Sequence, residues 1–170
     1  MRNALFLMSL AALGACGGGE KPAAPATVEP AKVEEPATEA PKPAAEPAPD
    51  FATATDEVKM AWLMKAGEVL YNTGGSGGVA CVTCHQATGE GLPGAFPPIK
   101  GSKDFMGDCK KHAKIVKEGL SGEIVVQGVT FNGAMPAQAI ITDLEIAAVI
   151  TYERNSWGND YGLCTPADLW

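Results

Sequence analysis

The chain has 170 residues, 20 acidic side chains against 13 basic ones and a formal net charge of −7. That length allows one ordinary domain with extensions, and the acidic balance gives no support for nucleic-acid binding. Composition is uneven: residues 17–50 hold eight prolines, nine alanines and no aromatic side chain, whereas residues 51–170 have the mixed texture of a globular domain.

Arg2 precedes an apolar run, residues 4–13, that is too short to span a bilayer. Leu13-Gly14-Ala15-Cys16 closes the run with small residues, so residues 1–15 read as a signal peptide. The same four residues resemble a bacterial lipoprotein signal. That resemblance implies cleavage before Cys16, lipid on its sulfur and a position on the periplasmic side of a bacterial membrane. Ordinary cleavage near Ala15 would instead leave a soluble periplasmic product. From Cys16 to residue 50 the repeated Ala-Pro, Glu-Pro and Lys-Pro steps favour an extended, disordered chain that cannot bury enough apolar surface to fold. At roughly 3.1 Å per residue such a tether could reach on the order of 100 Å.

The globular part begins with a helix predicted from Thr55 to about Tyr71, with Asp56 and Glu57 in its first turn favouring the positive helix end. Gly67 inside it costs about 1 kcal/mol relative to alanine, which suggests close approach of another helix. Asn72-Thr73-Gly74-Gly75-Ser76-Gly77-Gly78 reads as a flexible loop. It leads into Cys81-Val82-Thr83-Cys84-His85, a C-x-x-C-H run of the kind that attaches a c-type haem. Two thiols three positions apart can each bond one vinyl group of a porphyrin, and the adjoining imidazole can ligate its iron. A bare C-x-x-C also suits zinc or thiol–disulfide exchange.

Glycines and prolines at 89, 91, 93, 94, 97 and 98 predict a wrapping loop rather than long regular structure. A second long helix is expected over residues 108–120, with Cys109, Ala113, Val116 and Leu120 on one face and Lys110, Lys114 and Lys117 on the other. With Lys111, these lysines form either a docking patch for a redox partner or an ordinary solvated face. Residues 123–126 and 129–131 read as a hairpin about Gln127-Gly128, and Asn132-Gly133-Ala134-Met135-Pro136 as a turn with methionine at its apex. Thr142 and Glu145 carry a capping-box signature that opens a last helix to about Trp157, apolar nearly all round and hence buried on several sides.

A second axial ligand would let a haem iron carry electrons without binding small molecules. Met135, held between Gly133-Ala134 and Pro136, is the leading candidate; His112 and Met106 are the others, while Met60 and Met64 read as core. A thioether opposite an imidazole raises the reduction potential.

With these residues in place, the chain from about 56 to 158 resembles a class I cytochrome c. The runs Gly-Leu-Pro-Gly-Ala-Phe-Pro-Pro-Ile, Asn-Gly-Ala-Met-Pro and Tyr-x-Arg-Asn-Ser-Trp-Gly-Asn are similar to haem domains fused to copper nitrite reductases and to small cytochromes serving terminal oxidases. The resemblance implies an all-α fold of three to four helices around one covalent haem c, with a small hairpin before the distal methionine, over residues 51–170. It also implies haem on Cys81 and Cys84, His85 and Met135 as axial ligands, and Pro97 accepting the proximal imidazole N–H. By the same resemblance, Gly67 and Tyr71 mark where the first helix crosses the last, near Val149 and Tyr152.

The function so implied is electron transfer, without catalysis, by a monomer or a subunit of a respiratory complex. Its partners would be redox proteins: a terminal oxidase, a nitrite reductase or a quinol-oxidising complex. Two cysteines remain once lipid and haem are assigned. In an oxidising compartment Cys109 and Cys164 are expected to pair, the alternative being two buried free thiols. Two other readings use the same residues: a structural zinc site of Cys81, Cys84, Cys109 and His112, and a peroxidase-type haem with an open distal side.

Overall fold

The computed structural model describes residues 46–170. The expected signal peptide, Cys16 and the tether up to residue 45 lie outside the described residues. Residues 46–50, assigned to the linker by composition, lie against the first helix: the Glu46 carbonyl accepts from Trp62 Nε1 at 3.0 Å, and its carboxylate meets Lys65 at 3.1 Å.

Helix α1 runs Asp56–Thr73 and begins as its sequence dictates, with the Thr55 side chain accepting from the Val58 N–H. It ends at Gly74, left-handed at φ 79°, whose N–H closes on the Leu70 carbonyl. A left-handed residue after the last turn is the conformation that favours glycine. Helix α5, Asp143–Asn155, carries the complete capping box: Thr142 and Glu145 satisfy each other's backbone N–H groups. Eight of its residues are buried, as an all-round apolar helix requires.

α1 and α5 cross at Gly67. A Cβ there would stand 2.1 Å from the Ala148 carbonyl oxygen and 2.6 Å from Tyr152 Cβ. The crossing thus falls where it was expected, at Tyr152 and at Ala148, the neighbour of Val149. Below the crossing, Tyr71, Tyr152 and Trp157 pack ring on ring, with centroids 5.2–5.5 Å apart.

Two one-turn helices, not foreseen in the sequence, follow: α2, Val82–His85, and α3, Lys103–Met106. Helix α4, Cys109–Glu118, is opened by the Asp108 side chain accepting from the Lys111 N–H. It stops at Gly119, φ 77°, short of the expected Leu120, which instead begins a strand. Strands β1, Leu120–Val126, and β2, Val129–Met135, form one antiparallel hairpin in which Leu120 pairs with Met135 and Gly122 with Gly133. Met135 thus ends a strand rather than capping a turn. The left-handed bend at Gly119 feeds Leu120 into the ladder, and glycine's low strand propensity concealed the pairing from the sequence.

Cys109 and Cys164 form a disulfide that ties the C-terminal segment to α4. The buried Arg154 guanidinium fastens the same segment, reaching the carbonyls of Met106, Tyr161 and Gly162. The lysine stripe on α4 is mostly spent on the fold. Lys110, Lys111 and Lys117 place Nζ on the main-chain oxygens of Trp170, Asp104 and Ile141 at 2.7, 2.7 and 3.0 Å. The helix is thus stapled to its surroundings at three points.

Candidate functional site

Cys81 opens the one-turn helix α2, and the His85 N–H returns to the Cys81 carbonyl at 2.9 Å. On a helical turn, residues three apart share a face, so Cys81 and Cys84 present their sulfurs side by side. Both thiols are free, in contrast to the bonded pair at 109 and 164. Burial, reinforced by the nearby Glu153 carboxylate, pushes the Cys81 thiol well above its ordinary pKa, so it stays protonated at neutral pH.

The chain leaving α2 is fixed by aromatic donors that sequence reasoning did not assign. Tyr71 donates its hydroxyl to the Gln86 carbonyl at 2.7 Å, and Trp157 Nε1 donates to the Ala87 carbonyl at 3.0 Å. Gly89 lies so close under the Trp157 ring that a Cβ would meet it at 2.4 Å. The glycine–proline loop then folds back on itself through a Leu92–Phe96 bridge. That fold brings the Pro97 carbonyl 3.0 Å from His85 Nδ1. A carbonyl can only accept, so Nδ1 carries the proton and Nε2 keeps its lone pair for a metal.

Met135 is set by its ladder partner Leu120 and by Gly119, whose Cβ would lie 2.5 Å from the Met135 carbonyl. It borders the same cleft as Cys81, Cys84, His85 and Pro97. The remaining walls are nearly all apolar, with Phe96 and Phe131 among them, and Gln138 adds an amide. Two adjacent free thiols, an imidazole with one nitrogen already committed and an apolar enclosure match a covalently attached haem.

The other candidates are placed differently. His112 is buried on α4, with Nε2 2.9 Å from a carboxylate oxygen of the equally buried Glu153. Since Cys109 is spent in the disulfide, the four residues of the proposed zinc site do not assemble. No group of three or more metal-binding side chains is found among the described residues. Met106 is buried on α3 beside a second cavity that His85, Met135, His112 and Glu153 also border.

Comparison with known proteins agrees with this geometry. The family model for cytochrome c matches residues 64–157. A cytochrome c-552 of Thermus thermophilus is 37% identical over 105 residues, covering 59% of this chain and 71% of that protein. Another cytochrome c-552 from the same species is 39% identical over 83 residues, 46% of this chain and 63% of the relative. The chain belongs to the cytochrome c family: it is a class I electron-transfer protein with covalently bound haem c.

Proposed function

We propose that this chain is a single-haem electron carrier in which Cys81 and Cys84 hold the haem by thioether bonds and His85 and Met135 are its axial ligands. The observation that carries this reading is the convergence of all four side chains on one apolar cleft. When bound, the haem supplies a reversible one-electron iron couple.

The chain's own residues do the rest. The Pro97 carbonyl orients the His85 ring and makes it a better donor. The apolar lining keeps water out and favours the less charged reduced state, and a thioether ligand raises the potential further. The titratable groups lining the cleft are Cys81, Cys84 and His85, all engaged in holding haem on this assignment. His112 and Glu153 border the second cavity beside Met135 but are bonded to each other at 2.9 Å, and a ligating Met135 would leave peroxide no open position, which supports a carrier rather than an enzyme. Its place would be the periplasmic side of a bacterial membrane, tethered by lipid on Cys16. There it would pass electrons between respiratory redox proteins, a terminal oxidase or nitrite reductase as acceptor and a quinol-oxidising complex as donor.

Potentiometric titration of the matured holoprotein tests the carrier. A single reversible one-electron step is expected; two steps, or sustained turnover with peroxide, would contradict it. Labelling of the wild type, but not of Cys16→Ser, by radioactive palmitate tests the anchor.

A further inference from the structure

The glycine-rich segment before Cys81 has no part in the assignment above, yet it is closely fitted into the fold. The Gly78 N–H donates to the Gly74 carbonyl at 2.8 Å. A Cβ on Gly74 would meet the Gly78 carbonyl oxygen at 2.1 Å, and one on Gly78 would meet Gln138 Oε1 at 2.6 Å. Ser76 donates both its N–H and its hydroxyl to Glu145 Oε1, at 2.9 and 2.6 Å. The segment is thus a formed strap laid across the start of α5, and it delivers the Val79 N–H to Gln138 Oε1 at 2.7 Å.

Gln138 is 6% exposed and bonded on three sides. Its N–H donates to the Val116 carbonyl of α4 at 3.0 Å, its Nε2 donates to the Pro136 carbonyl at 3.2 Å, and its Oε1 accepts from Val79. The amide orientation is fixed, because a backbone N–H only donates and a carbonyl only accepts. One side chain on the cleft wall therefore joins the approach to Cys81 with the residue that follows Met135.

We propose that Gln138 is a positioning residue: a latch that holds residues 135–136 against residues 79–81, keeping Met135 on the iron and external ligands away from it. The glycine strap is shaped to present the Val79 N–H to that latch. The inference rests on Met135 being an axial ligand. Lifting residues 135–136 away from Val79 requires at least one of the two amide bonds to break. Truncation to alanine leaves Val79 N–H and the Pro136 carbonyl without these partners in the closed state. The open state should gain population about tenfold, and ligand entry should accelerate by the same factor.

The test is stopped-flow binding of cyanide to the ferric holoprotein, in wild type, Gln138→Ala and Thr55→Ala. The last removes the N-cap at the opposite end of α1 and serves as a control for general loosening of the fold. Cyanide is expected to bind Gln138→Ala about tenfold faster and Thr55→Ala within twofold of wild type. The near-infrared thioether–iron band should be present in all three. An unchanged rate in Gln138→Ala, or an equal rise in Thr55→Ala, would overturn the latch. If Gln138→Ala yields no holoprotein, Gln138→Glu replaces it: an acceptor for Val79 remains and the donor to Pro136 is gone. Entry faster than wild type is again expected, and a wild-type rate would overturn the proposal. A wild-type protein lacking the band would overturn the ligand assignment and the latch together, whereas an intact band with unchanged cyanide entry overturns the latch alone.

Discussion

The crossing of α1 with α5 and the wall of the cleft around Met135 are held by different means. At the crossing, the backbone at Gly67 lies directly on the Ala148 carbonyl, with rings of Tyr71, Tyr152 and Trp157 packed beside it. At the cleft wall and in the strap that leads to it, strand ends and loops are joined by single side chains, Gln138 and Glu145, that reach across long stretches of sequence. Close packing is insensitive to pH and intolerant of added volume. Single hydrogen bonds can be removed one at a time, and those to a carboxylate respond to protonation. The scaffold therefore sets whether the domain folds, and the cleft wall sets how firmly one ligand is held.

The largest effect expected on the scaffold alone is loss of the Cys109–Cys164 bond, which joins residues 55 apart in sequence. Replacing both by serine should cost up to about 4 kcal/mol on the chain-entropy estimate. Urea unfolding measures the loss, while the visible spectrum of the folded protein should not change. A shifted spectrum would mean that scaffold and cleft are not separable. Gly67→Ala comes next. Alanine gains about 1 kcal/mol in helix propensity, but its methyl must push α1 and α5 apart and should cost about 3 kcal/mol in all. A variant as stable as wild type would show that the helices can make room for a Cβ that would otherwise stand 2.1 Å from the Ala148 carbonyl oxygen.

The smallest effect tests the other side of the comparison. Burial raises the Glu145 pKa, but the hydrogen bonds from Ser76 and Thr142 outweigh it and hold the carboxyl below its ordinary value. With a lowered folded-state pKa, its stabilisation is complete above the unfolded value and is lost as pH falls through the folded one. Glu145→Gln should therefore cost about 1 kcal/mol at neutral pH. Its stability curve should converge on that of wild type as pH falls through that lowered folded-state pKa. Parallel curves down to pH 3 would deny Glu145 that role.

Much of this was legible in the sequence where the information is local. Thr55 and Thr142 announce their helices because a cap and its partner are three residues apart. The C-x-x-C-H run is legible for the same reason. The strand through Met135 was hidden by the Gly122–Gly133 pair, since glycine carries no side-chain pattern. The capping box revealed one oxygen of Glu145 but not the other, which serves Ser76 69 residues away. Gln138 gave no signal at all, because its partner Val79 lies 59 residues back and a lone glutamine before an apolar pair looks like surface. His112 offered itself as a ligand and is instead paired with Glu153, a contact that only the packing of α4 on α5 creates.

Met135 is the ligand on which the carrier's redox chemistry depends. The direct measurement is the near-infrared spectrum of the ferric holoprotein, wild type against Met135→Ala, with mass spectrometry confirming that haem remains bonded to both. The band should be present in the wild type and gone in the variant, whose reduction potential should fall. A band that survives the substitution would mean that another thioether, and not Met135, holds the iron.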